Sequence, residues 1–124
     1  MQRLAVCLML LIALPLAAGV NARDSSRIQE GHAVFARWCA GCHSSVSPFE
    51  FYHGPSSGTL MLQRLYQGKE PPVLTDRTDL SPVLIQAMVR HGRNFMPFFR
   101  KTEISDAQLG QLVAYLTRNN PPSH

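Results

Sequence analysis

The chain has 124 residues, 45% of them hydrophobic and 16% charged, with 12 Lys+Arg against 8 Asp+Glu for a formal charge of +4. That length suits one ordinary domain, and the composition is too apolar for a wholly disordered chain. The basic excess is thin and holds no dense Lys/Arg block, which argues against nucleic acid as a partner, and three cysteines exclude a disulfide-dense scaffold.

Residues 1–22 read as an export signal. Arg3 supplies the positive n-region, Leu4 to Ala18 is a nearly unbroken apolar run, and Val20-Asn21-Ala22 offers small residues where a signal peptidase cuts. The run is short for a membrane span, which needs ~20 residues. An uncleaved anchor is the alternative. Cys7 lies inside the run and not just after it, which argues against a lipoprotein anchor. Cleavage after Ala22 would leave residues 23–124 as one domain in an oxidising compartment, with Cys39 and Cys42 its two remaining cysteines. No stable membrane insertion is expected after that cut.

Helical periodicity then recurs, while alternating strand-like runs are scarce. A first helix is predicted from Ser26, with Gln29 completing a capping box and Ile28, Gly31, Phe35 and Trp38 on one face. A second fits Thr59 to Gln67, stopped by Gly68. A third opens at Ser81, with Pro82 at its first position, and runs to Gly92. The last opens at Ser105, with Gln108 three residues on, and continues to about Arg118. Two irregular stretches, Ser44 to Gly58 and Arg93 to Thr102, separate them, and loops of that length in a small domain are usually functional. The fold class is all-α, with about four helices and long loops.

Cys39-Ala40-Gly41-Cys42-His43 closes the first predicted helix. Two cysteines two residues apart, followed at once by histidine, is the attachment pattern of a c-type haem. The thiols can add to the two vinyl groups of one porphyrin while the adjacent imidazole turns under the ring to bind iron. Three other readings share the pattern. A thioredoxin-like pair wants a strand–helix unit; a structural zinc site needs two more spaced ligands; a plain disulfide needs only the two thiols.

Over nearly the whole of residues 23–124, the sequence resembles the small single-haem class I cytochromes c. Gly31 and Phe35, eight and four residues before Cys39, match that family's first-helix signature, and Leu112 and Tyr115 fit the last-helix partners that cross it. The resemblance implies a cytochrome c fold wrapped around one haem c, attached through Cys39 and Cys42, with His43 as an axial ligand. It also implies that the carbonyl of Pro55, twelve residues after His43, accepts the histidine's N–H. Such a bond would hold the ring and strengthen iron binding. Gly31, Phe35 and Tyr115 are expected to be core packing, and Gly110 either packs closely or is merely tolerated.

The opposite axial position decides the chemistry: an open one favours peroxidase-like or gas-binding work, a thioether favours electron transfer. Residues 23–124 offer Met61, Met88 and Met96. Met61 and Met88 fall in predicted helices and are expected to be core residues. Met96-Pro97, in a loop before the last helix, looks like the family's distal-ligand loop. Histidine, His91 included, or no ligand remains the other possibility. Phe95, Phe98 and Phe99 are expected to wall the haem, with packing the role of at least two and an exposed docking patch the alternative for some of them. Arg90, Arg93, Arg100 and Lys101 border the loop as a solvated rim or a steering surface for an acidic partner.

The resulting expectation is a periplasmic electron carrier, not an enzyme, with His43 and Met96 on the iron. Its partners would be a donor dehydrogenase and a downstream cytochrome or oxidase. The segment Gly68 to Gly92 is similar to cytochrome subunits that accompany such dehydrogenases. A catalytic or sensory haem protein with a labile sixth ligand is the alternative.

Overall fold

The computed structural model describes residues 15–47 and 53–122, with side chains from residue 21 onward. Most of the apolar leader run therefore lies outside the described residues. Five α-helices follow one another: α1 (Pro15–Trp38), α2 (Ala40–His43), α3 (Ser57–Tyr66), α4 (Pro82–His91) and α5 (Asp106–Leu116), with a one-turn 3₁₀ segment at Leu74–Asp76. The chain is all-α: among the described residues the sole ladder contact is an isolated bridge between Arg93 and Met96.

α1 begins at Pro15, eleven residues before the predicted start at Ser26. With helix on both sides of it, Ser26 does not cap. Its hydroxyl instead donates to Glu30 one turn on, at 3.1 Å. The later boundaries follow local signals more closely. Ser81 is the N-cap of α4, Pro82 opens it, and Gly92 ends it at φ 64°. Ser105 caps α5 with the full reciprocal box: Ser105 N–H donates to Gln108 Oε1 (2.9 Å) and Gln108 N–H to Ser105 Oγ (3.2 Å). α5 stops at Leu116, two residues before the predicted end, where Thr117 turns its hydroxyl onto the Val113 carbonyl (2.8 Å). α3 starts at Ser57 and gives way at Gln67, which itself takes the left-handed conformation (φ 52°) before Gly68.

The core sits where α1 crosses α5. Val34, Phe35 and Cys39 from α1 and its end meet Leu109, Leu112 and Leu116, joined by Ile85 and Val89 of α4 and by the fully enclosed Ile104. Gly31 sets the distance of that crossing. A Cβ there would run into the carbonyl of Gln111 and the Cβ of Tyr115 (2.7 Å). Without a side chain the two backbones can approach, and the predicted packing role of Gly31 holds. Gly110 behaves otherwise: a Cβ on it would meet only the tip of Arg27, at 3.9 Å. It is tolerated and serves no close approach. Tyr115 lies against Phe35, ring centroids 5.6 Å apart, as expected of a packing residue.

Candidate functional site

α1 does not carry the Cys-x-x-Cys-His motif itself. The helix breaks at Cys39 and restarts as the single turn α2, on which Cys42 N–H and His43 N–H both donate to the Cys39 carbonyl (3.0 and 2.8 Å). That turn brings Cys39, Cys42 and His43 together within one loop of backbone. The two thiols are free, Cys39 buried and Cys42 exposed. Burial, with Cys42 next to it, pushes the Cys39 thiol up to about 11. Nothing is found near Gly41 where a Cβ would project, so the inter-cysteine backbone leaves one side open.

His43 is held from behind by α3. A Cβ at Gly58 would stand 2.5 Å from the Cys42 carbonyl oxygen and 3.1 Å from His43 Cε1. A hydroxyl cluster beside this contact ties the loop back on itself. Ser44 and Ser56 share a 2.6 Å hydrogen bond, and Thr59 Oγ1 donates to the Ser44 carbonyl at 3.0 Å. Ser56 and Thr59 are almost fully buried. No local pattern announced this cluster, because its partners lie twelve and fifteen residues apart.

Burial lowers the titration of His43 and favours the neutral imidazole, the form that ligates metals. Its Nδ1 is buried without a hydrogen-bond partner. The bond expected from this ring to the Pro55 carbonyl is therefore not made; the close neighbour of the ring is Gly58 instead.

Met96 comes from the far end of α4. Gly92 at φ 64° lets the chain double back, for a Cβ there would meet the Met96 carbonyl at 2.5 Å and the Phe98 nitrogen at 2.9 Å. Arg93 and Met96 then exchange both backbone hydrogen bonds (3.0 and 2.9 Å) around Asn94 at φ 54°. The loop is a tight turn and not a slack connection. It is tied to the motif end of α1 by one ring contact: Phe99, three residues after Met96, stands edge-on to Trp38, next to Cys39, with centroids 5.8 Å apart.

Several expectations about side chains change here. Met61, read as core, is half exposed. Of the three phenylalanines in the Met96 loop, Phe99 packs on the core, while Phe98 is 59% and Phe95 92% exposed. Arg100 and Lys101 do not form a free basic rim, since they pair with Glu103 (3.6 Å) and Asp106 (2.7 Å). Sequence reasoning also passed over Arg77. It is buried, forks onto Asp79 through two bonds of 2.6 and 2.5 Å, and lies over the Tyr66 ring at 4.9 Å.

The donor set fits a covalently held haem: two unpaired thiols on one turn, a half-buried imidazole beside them whose neutral form is favoured, and a thioether on a constrained loop. Two of the competing readings lack their requirements: among the described residues no strand precedes the motif as a thioredoxin-like pair would want, and no group of three or more His, Cys, Asp or Glu converges as a metal site.

The model of the family described as Cytochrome C oxidase, cbb3-type, subunit III matches residues 26–116. The chain belongs to that cytochrome c family. It is a small monohaem c-type cytochrome, and its work is haem-based electron transfer. No curated protein and no solved structure matches it. No helix among the described residues is long and apolar enough to cross a membrane.

Proposed function

We propose that this cytochrome is an exported, periplasmic electron carrier, cleaved after Ala22. Cys39 and Cys42 would hold a haem covalently, and His43 and Met96 would ligate its iron. The protein accepts electrons from a dehydrogenase and passes them to a downstream cytochrome or oxidase. The observation that carries this reading is the turn α2, which groups two free thiols with a half-buried histidine whose neutral form is favoured. The family's description names an oxidase, which suits the acceptor side.

When bound, the haem supplies a one-electron Fe(III)/Fe(II) couple. The protein's part is to hold the ligands still, so that little rearranges when the charge changes. Gly58 and the Ser44–Ser56–Thr59 cluster support the His43 side. Gly92 and the Arg93–Met96 turn support the other. A soft thioether at Met96 favours the reduced metal and raises the potential.

The test is the visible spectrum of protein exported from a host with active haem-attachment machinery. Colour that survives acid–acetone extraction is expected, together with a methionine–iron charge-transfer band that resists added cyanide. A colourless product would overturn the haem, and ready ligand binding without the band would favour a catalytic or sensory haem protein.

A further inference from the structure

The Arg93–Met96 turn does more than aim a thioether. At its tip Phe95 is 92% exposed, the most exposed of the large apolar residues among those described, and touches almost no protein. Yet it is not loosely hung, for the reciprocal Arg93–Met96 hydrogen bonds and the left-handed Asn94 hold the backbone on either side. A large apolar side chain displayed on a constrained backbone is what an interface anchor requires, since little freedom is lost on docking.

Charge indicates what it docks on. From Leu80 to Thr102 the chain carries Arg90, Arg93, Arg100 and Lys101 and no carboxylate. Three of these cations are engaged within the protein. Arg90 binds the Phe99 and Ile104 carbonyls and Asp106, Lys101 binds Asp106, and Arg100 binds Glu103. Arg93, two residues from Phe95, is exposed and has no ion pair among the described residues. A single free cation beside a single ring is poorly suited to an anionic membrane, which is held by clusters of Lys and Arg. It suits a socket that admits one side chain.

We propose that Phe95 is an aromatic anchor by which this cytochrome docks on a redox protein presenting an apolar socket edged with carboxylates, Arg93 pairing with that edge. The inference rests on the electron-carrier reading and names its contact surface. The anchor is bonded directly to Met96, so the partner would sit one residue from the proposed distal ligand.

A gold electrode coated with a mixed methyl- and carboxylate-terminated monolayer serves as the probe, with the holoprotein adsorbed from dilute solution. Phe95→Ser and Arg93→Ser should each lower the electroactive coverage about tenfold, Phe95→Leu should keep most of it, and added salt should erase the Arg93 contribution. Midpoint potential and the thioether band should not move in any variant. Unchanged coverage in Phe95→Ser would overturn the inference. So would an equal loss in Leu65→Ser, which would mean general stickiness, or a shifted potential in Phe95→Ser, which would place the ring on the haem. Phe95-dependent co-sedimentation with phosphatidylglycerol vesicles, stronger than binding to the monolayer, would assign the patch to a membrane and overturn it also. A haem-bearing wild type that gives no wave on any monolayer would bring down the electron-carrier reading itself.

Discussion

Gly58 decides how closely α3 can stand behind the candidate histidine ligand. Its missing side chain leaves room for the Cys42 carbonyl and the edge of His43 at once. Gly58→Ala should push that edge away, costing about 1–3 kcal/mol and weakening the proximal support; chemical unfolding of the holoprotein measures the first and a shifted midpoint potential the second. Met96 and Met61 separate along the same line of reasoning. Met96→Ala should leave the haem attached, remove the thioether band, lower the potential and open the iron to cyanide or imidazole. Met61→Ala should do none of this, and with half its surface already in water it should change stability by only about 0.5 kcal/mol. If Met61→Ala or Met88→Ala removed the band and Met96→Ala kept it, the ligand assignment would be wrong.

The helix crossing between α1 and α5 tests the same physics on a larger scale. Two glycines lie near it, and they should respond to alanine with opposite signs. Gly31→Ala forces a Cβ into the Gln111 backbone, so the helices must part and a loss of about 3 kcal/mol or more is expected. Gly110→Ala meets only the tip of the Arg27 side chain, at 3.9 Å, and should gain about 1 kcal/mol from helix propensity alone. Thermal unfolding of the two variants, each with haem attached, checks both signs. Elements whose limits depend on residues within one turn could be read from the sequence. Ser81, Pro82 and Gly92 bound α4, and Ser105 with Gln108 opens α5. Of the candidate site, the motif itself could be read: Cys39, Cys42 and His43 are close in sequence and share one turn of backbone. What could not be read depends on distant partners. The burial of Arg77 needs Asp79, Tyr66 and the fold around them, the hydroxyl cluster spans Ser44 to Thr59, and the exposure of Phe95 follows from a turn closed by backbone bonds that any side chains could make.

At the level of the whole molecule, the early start of α1 bears on export. Asn21 to Arg27 are all exposed, and from Asn21 onward the first buried residue of the helix is Gly31, at the α5 crossing. Cleavage after Ala22 would thus remove no described buried side chain. Nor would it touch the contact between Glu30 and Gln111 that flanks the crossing. The shortened helix would, however, need a new N-terminus. Ser26, which now points its hydroxyl at Glu30, would then stand near the free end, where its oxygen can accept from the amide of Gln29 and the Gln29 side chain can answer. The capping box that the intact chain does not use would come into use through processing. The expected mature species has the mass of residues 23–124 plus one haem. In hydrogen exchange its amides from Arg23 to Ser25 should exchange freely, and protection should begin a few residues after Ser26. Ser26→Ala should lower the stability of the processed protein by about 1 kcal/mol and leave the unprocessed chain nearly unchanged, a difference that unfolding of the two forms side by side would reveal. An uncut chain, or equal effects of Ser26→Ala in both forms, would overturn the processing-dependent cap.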